Sequence, residues 1–291
     1  MPIVGYSFND SNLSIDSGVI TLKDEYIKKY GYRFKKITGT RLADILGFDN
    51  YSSPFKTWLQ IVQLFKDDMD PTLADVGNTI EPIIREFVTK QLKIEYCVHD
   101  PKTVNYDVFK SNKIFGGIPD GEPMTLGKID YSTDLPMLEV KSSSIDKLKY
   151  ETNADLQLRM IKNERGEPIV VKPNGKKDEW FENGKLVVSK KYQFQLALYM
   201  YLRKAKYGVF AIGFLQPIDY VSPQAFNPLE REIRLLKMSF DHQKFEKYIN
   251  QATTWYENHV VKGISPKMTN EDQKWLEKQM QLLRKNSDTA Q

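Results

Sequence analysis

Ile118–Ser144 reads IPDGEPMTLGKIDYSTDLPMLEVKSSS. It opens on a Pro-Asp-Gly turn and closes on a strand-like run, LPMLEVKSS, in which an acid and a lysine stand two residues apart. Side chains alternate across a strand, so Glu139 and Lys141 share one face and Val140 takes the other. Alone, a Glu-x-Lys triplet is an ordinary surface ion pair, and an aspartate before glycine is an ordinary turn former. An acid among leucine and valine is costly, on the order of several kcal/mol, unless it is paired or metal-bound. A hairpin between the turn and the strand brings the Asp120 and Glu139 carboxylates together. With the Val140 carbonyl they make an all-oxygen ligand set of the kind that suits Mg²⁺, Mn²⁺ or Ca²⁺. Asp130 precedes Glu139 at a hairpin-like distance and is a rival to Asp120, but it lacks the Pro-x-Gly setting.

The rest of the chain supports oxygen ligation. Only one cysteine, Cys97, is present, which excludes an internal disulfide and a four-cysteine zinc or iron–sulfur site. The three histidines, His99, His242 and His259, have no helical pairing among them. Hydrophobic content is 41% and charged content 27%, with a formal net charge of +4, which is ordinary for a globular protein of 291 residues. The opening MPIVGYSFNDSNLSID has neither the basic nor the apolar region of a secretory signal. No run approaches the ~18 apolar residues of a membrane span, so a cytoplasmic protein without a membrane partner is expected.

Periodicity places helices over TGTRLADILGF, with a hydroxyl residue in front, and over SPFKTWLQIVQLFKDD, with Ser53 as cap and Pro54 at the first position. A third helix, TLADVGNTIEPIIREFVTKQL, starts or kinks at Pro82. LKIEYCV, NKIFGGIPD, TLGKIDYS and LPMLEVKSS read as strands, KKYQFQLALYMYLRKA as a helix, and YGVFAIGFLQ and EIRLLKMSF as two more strands. Two helices close the chain, the first running from Asp241 to a stop at Gly263. The expected fold is a single mixed α/β domain over 1–291, with a central mixed sheet flanked by helices. Its helical N-terminal part covers about 20–70, its core about 71–265, and its C-terminal helix and tail 266–291. Residues 151–190, with turn signals at Asn174-Gly175 and Asn183-Gly184, read as an inserted β-hairpin arm. The stretch 141–191 holds twelve Lys/Arg against eight Asp/Glu, an excess equal to that of the whole chain. Such a run is either a solvated hairpin or a phosphate-contacting surface. Tyr30, Tyr32, Phe34, Trp180 and Phe181 are aromatics with basic neighbours that could stack on unpaired bases.

IPDG with LEVK resembles the core of the PD-(D/E)xK nucleases. Three further blocks, ITGTRLADILGFDNYSSPFKTW, GNTIEPIIREF and YQFQLALYM, are similar in order to those of the YqaJ-like viral recombinases, the branch that includes lambda exonuclease. The resemblance covers roughly residues 35–265. It departs at Gly39-Thr40, where the family has Ala-Ser, and after Lys141, where Ser142-Ser143 replaces the frequent Cys-Pro. It implies that Asp120, Glu139 and the Val140 carbonyl bind Mg²⁺ (Mn²⁺ substituting), that Glu81 completes the metal site, and that Lys141 orients or activates the attacking water. Gln193 or Gln195 would line the site. Thr38 and Thr40, with Arg41 or Lys35 and Lys36, would contact a DNA phosphate. The implied activity is 5′-to-3′ exonucleolytic hydrolysis of linear duplex DNA in recombination or repair. A single-strand annealing protein and a homotrimer are the implied partners. An end-independent endonuclease and an inactive DNA-binding module are the competing readings.

Overall fold

The computed structural model describes residue 3 and residues 7–49, 52–66 and 69–288. A hairpin of β1 (Leu13–Asp16) and β2 (Val19–Leu22) leads into α1 (Asp24–Tyr30), α2 (Gly39–Ile45), α3 (Pro54–Ile61) and the long α4 (Pro71–Leu92). Three short strands follow: β3 (Glu95–Cys97), β4 (Glu122–Thr125) and β5 (Lys128–Ile129). β6 (Met137–Ser144) carries the Glu-x-Lys triplet. The insertion contributes β7 (Lys147–Leu148), β8 (Tyr150–Thr152), β9 (Leu158–Met160), β10 (Val170–Lys172), β11 (Phe181–Glu182) and β12 (Lys185–Leu186). After it come α5 (Lys190–Arg203), β13 (Tyr207–Leu215), β14 (Ile233–Ser239), α6 (His242–Trp255) and α7 (Asn270–Asp288). Among the described residues no helix is long and apolar enough to cross a membrane.

The central sheet runs in the order β14-β13-β6, antiparallel then parallel. A single antiparallel bridge, Gly121 to Leu138, joins β6 to the smaller β3-β4-β5 sheet. Alternation divides the core in two. Leu138, Val140, Val209 and Ala211 pack with Val76, Ile80 and Ile84 of α4. Met137, Phe210, Ile212 and Phe214 join the other cluster, with Leu196 and Met200 of α5, Leu42 of α2 and Trp58 of α3. The sheet is therefore covered on both faces, as a near-continuous apolar strand such as YGVFAIGFL requires.

Local signals account for the starts of α3, α4 and α6. Ser53 Oγ accepts from the Lys56 amide, and Pro54 occupies the first position of α3. Asp70 Oδ1 accepts from the Thr72 amide at the start of α4, and Asp241 caps α6. Pro82 lies inside α4, which continues through it. Thr38 holds the N-cap position of α2 without a side-chain capping bond.

Three expectations are corrected. TLGKIDYS is not one strand: Leu126 and Gly127, both at positive φ, turn the end of β4 back into β5. NKIFGGIPD forms no strand beyond one parallel bridge, Ile37 to Phe115. Side-chain acceptors take the amides that a ladder would need: Asp107 Oδ1 those of Phe109 and Gly117, and Asn112 Oδ1 those of Ile114 and Phe115. The insertion is not one hairpin. β7 pairs with β10 around an inner β8–β9 hairpin, and β11–β12 is a separate hairpin turned by Asn183 and Gly184, both at positive φ. It folds back rather than projecting, because Trp180 is buried against Tyr192 and Phe214 and its indole donates to Ser143 Oγ at 3.0 Å.

α2 meets α5 at its first residue. A β-carbon on Gly39 would lie 2.5 Å from Gln195 Cα, on backbone that cannot move aside. Gly39→Ala, which restores the alanine of the resembling family block, is expected to lower stability by roughly 1–3 kcal/mol. Thermal unfolding checks it, with Tm falling by about 2–4 °C per kcal/mol in a chain of this size.

Candidate active site

The site is built on the edge of β6 that has no strand beside it. Leu138 exchanges backbone hydrogen bonds with Gly121 (2.9 and 3.2 Å), after which the preceding chain peels away. The next two amides on that edge find carboxylates instead. Val140 N–H donates to Asp120 Oδ2 at 2.8 Å, and Ser142 N–H and Oγ–H donate to Glu81 Oε1 at 3.3 and 3.1 Å. The amide and carbonyl of one strand residue point to the same edge, so the Val140 carbonyl faces the side on which Asp120 stands. Asp130, the rival, is spent on a turn, accepting from the Ser132 amide and hydroxyl.

Glu139 is 0% exposed on the α5 face of the sheet. The Lys141 ammonium lies 2.6 Å from its Oε1, yet neither Glu139 oxygen receives a well-directed hydrogen bond. Burial pushes the Glu139 carboxyl up to about 8, Asp120's charge adding to the effect and Lys141 opposing it. Burial also raises Glu81, against the pull of Lys141. For Lys141 burial favours the neutral amine, but Glu139, Asp120 and Glu81 outweigh it and hold the ammonium protonated. Three acids face one cation, so Lys141 keeps its charge and Glu139 falls short of its own.

α5 turns one face to this cluster. The Lys141 ammonium sits 5.2 Å from the centroid of the Tyr192 ring. Gln195 abuts Gly39, and Tyr199 lies against Gly117, whose φ of 135° and lack of a β-carbon admit the ring. Burial, then the charges of Glu139 and Asp120, push the Tyr199 phenol up. Tyr192, Gln195 and Tyr199 are spaced i, i+3, i+7, one helical stripe. Gln193 is off that stripe: its amide donates to the Val188 carbonyl at 2.6 Å, and it lines an aromatic pocket with Phe48, Phe240 and Tyr248.

Tyr199 and Gly117 also border a cavity of about 1020 Å³ whose near wall is Lys35, Lys36, Thr38 and Arg41. Lys36 pairs with Asp107 at 2.6 Å, and Arg41 donates to the Lys36 carbonyl at 3.0 Å. Burial, more than the nearby charges of Arg41 and Lys66, lowers the affinity of Lys35 for its proton. Thr40 is half-buried in the first turn of α2, outside this lining. The four wall residues thus meet in one basic chamber adjoining the carboxylates.

The sequence model of the YqaJ-like viral recombinase domain matches residues 30–204. The chain belongs to the YqaJ-like viral recombinase family. It is 46% identical over 268 residues to the uncharacterized protein MG373 of Mycoplasma genitalium, covering 91% of this chain and 95% of that one. To the MG373 homolog of Mycoplasma pneumoniae it is 43% identical over 259 residues, covering 88% and 92%. Solved structures similar to it include the alkaline exonuclease LHK-Exo of Laribacter hongkongensis (TM-score 0.46, 14% identity, 82% of this chain and 95% of that one). A phage-related exonuclease of Haemophilus somnus is another (TM-score 0.46, 11% identity, 80% and 98%).

In this YqaJ-like chain no three His, Cys, Asp or Glu side chains among the described residues already form a ligand cage. The residues nonetheless fit a hard divalent cation. The Glu139 oxygens are buried without directed partners, and a cation would balance the excess of carboxylate charge. Asp120, Glu139 and the Val140 carbonyl would hold it, with Glu81 beside them.

Sequence reasoning missed Tyr199, Tyr192, Gly117 and the buried acid Glu122. Glu122 receives Arg203 at 2.6 and 3.0 Å and Tyr131 at 2.6 Å, with His99 at 2.5 Å, and these outweigh burial to keep it ionised. The network ties the Asp120 segment to the end of α5. The stripe from Tyr192 to Tyr199 was available as a signal, whereas Glu122 looked like any turn acid.

The Glu139 shift has a stability consequence. Between its ordinary value and about 8, the metal-free folded chain holds a proton that the unfolded chain has released. Stability therefore declines as pH rises through that window, and the loss is complete above it. Glu139→Gln should raise Tm relative to the metal-free wild type at about pH 8.5, by roughly 2–4 °C per kcal/mol regained. The gain should shrink toward pH 5, as calorimetry at the two pH values would show.

Proposed function

We propose that this chain is a Mg²⁺-dependent DNA exonuclease that hydrolyses phosphodiester bonds of linear duplex DNA from the 5′ end. The observation that carries it is the open edge of β6, where Asp120, Glu81 and the Val140 carbonyl stand beside the Glu139–Lys141 pair. Family membership supports a nuclease, and the chemistry of the donor set supports a hard cation.

When bound, the metal would supply Lewis acidity to the scissile phosphate and to water. The chain's own residues supply the rest. Asp120 is aimed by the Val140 amide and Glu81 by Ser142, so neither carboxylate has to reorganise on binding substrate. Lys141 is held as an ammonium, which makes it a donor that orients the attacking water or neutralises a phosphate oxygen, not a proton acceptor. The Tyr192 ring and the Glu139 contact fix its position. Lys35, Lys36, Thr38 and Arg41, which line the adjoining cavity, would receive the terminal phosphate.

The test is degradation of linear against covalently closed circular duplex in Mg²⁺, with wild type and Lys141→Ala in parallel. Linear DNA alone should be lost, EDTA should stop the loss, and Lys141→Ala should slow it by roughly 10²–10³-fold. Cutting of closed circles would convert the reading to an endonuclease on the same core. Inert wild type in both Mg²⁺ and Mn²⁺ would leave a DNA-binding module. Arg41→Ala should raise KM for 5′-phosphorylated ends more than for 5′-hydroxyl ends, and equal effects on both would remove the end-recognition role.

A further inference from the structure

Tyr106 stands on the rim of the basic cavity and is 65% exposed. Its φ is 59°, and that of Asn105 before it is 53°. Two successive residues with β-carbons in the left-handed region are disfavoured, most of all when one carries a bulky ring. The ring is not buried, so packing does not repay the conformation, and a turn selected for stability alone would carry glycine there.

The backbone on both sides holds the strained pair in place. Before it, Asp100 Oδ1 accepts from the Thr103 amide and hydroxyl (2.7 and 2.9 Å), and the Tyr106 amide donates to the Pro101 carbonyl at 2.7 Å. After it, Asp107 takes the Phe109 and Gly117 amides on one oxygen and the Lys36 ammonium on the other. The Val108 amide then donates to the Gly117 carbonyl at 3.0 Å, three residues ahead of Asp120. The backbone that carries the ring is thereby fixed relative both to Lys36 of the cavity and to the segment that carries Asp120.

Of the aromatics that the sequence offered for stacking, Trp180 is buried, Phe34 and Phe181 are half-buried, and Tyr30 packs on Tyr26 at 4.8 Å between centroids. Tyr32 is exposed but lies outside the cavity lining, with the Arg33 guanidinium 5.2 Å from its ring centroid and donating to its hydroxyl. A positively charged trough with an open aromatic face at its edge is the combination that binds single-stranded nucleic acid, phosphates in the trough and a base on the ring.

We infer that Tyr106 is a stacking platform for an unpaired base at the DNA end whose phosphates occupy the cavity of Lys35, Lys36 and Arg41. The inference rests on the nuclease reading and adds to it a preference for ends that carry, or fray into, single-stranded bases.

The experiment uses the full chain in EDTA, so that nothing is hydrolysed, and measures binding by fluorescence anisotropy. The probes are two 5′-phosphorylated duplexes with a short 5′ overhang, one with normal bases and one abasic. Wild type should bind the base-bearing end about 5- to 100-fold more tightly. Tyr106→Gly should erase that difference, and Tyr106→Trp should keep it. Tyr106→Gly should leave Tm unchanged or higher, since it relieves the left-handed backbone. A Tm lower by several degrees would make the ring a packing residue and overturn the inference. So would a Tyr106→Gly chain that still prefers bases, or a wild type that binds both ends alike. In any of these cases, degradation of linear DNA by wild type in Mg²⁺ leaves the nuclease reading standing. A wild type that neither binds nor degrades either probe sinks both.

Discussion

Glu139 occupies a strand position that alternation assigns to the core, between Met137 and Lys141 on the α5 face. An ionised carboxylate placed there loses its hydration and must be repaid by fixed charge. One lysine two residues on repays part of this, and the remaining deficit is expressed as a carboxyl pushed up to about 8. A hydrophobic residue would pack more favourably in that strand. The sheet, the two covering helices and the Glu122–Arg203 network together hold a configuration that the metal-free chain would relax if it could. Such local conflict, sustained by global packing, is the usual structural mark of a site kept for chemistry.

The second constraint is the edge of β6. A strand edge with free amides invites pairing with another chain. Here the bridge between Gly121 and Leu138 ends the neighbouring strand early, and two carboxylates cover the amides that remain. The same two hydrogen bonds that cap the edge aim Asp120 and Glu81, so sheet termination and site assembly are one event. Gly39 and Gly117 complete it by letting α2 and the Asp120 segment approach α5 closely enough for Tyr199 to separate the carboxylates from the basic cavity.

Much of this was legible in the sequence. The central strands were readable because both faces are buried and their apolar runs are long. The juxtaposition of Asp120, Glu139 and Lys141 was readable because a turn signal and a two-residue spacing are local features. Lys35 to Arg41 came as one block from the family resemblance, and Lys35, Lys36, Thr38 and Arg41 line one cavity. What was not legible depends on contacts distant in sequence. The loss of the NKIFGGIPD strand is decided by Asp107 and Asn112, whose side chains compete for its amides. The folding back of the insertion is decided by a tryptophan that finds Tyr192 and Phe214. Which glutamine faces the site follows from helical phase once Tyr192 is seen over Lys141, and no single residue type announces it.

The charge distribution around the site gives the arrangement a direction. On the Tyr199 side the cavity is lined by Lys35, Lys36, Arg41 and Lys110, with Lys36 held by Asp107. On the Tyr192 side, a cavity of about 630 Å³ between the β6 serines and the insertion is lined by Lys147, Lys176 and Lys191, of which Lys176 pairs with Glu179 and Lys191 with Asp44 and Asp49. Paired charges exert little field beyond a few ångströms, whereas unbalanced ones in a cleft attract a polyanion and concentrate it. A phosphodiester chain approaching the carboxylates therefore meets a group of cations on the Tyr199 flank. Within 141–191, Lys141, Lys149, Lys176, Lys177 and Lys191 are each held by a carboxylate, so part of the charge excess that composition offered as a phosphate-contacting surface is already answered within the fold.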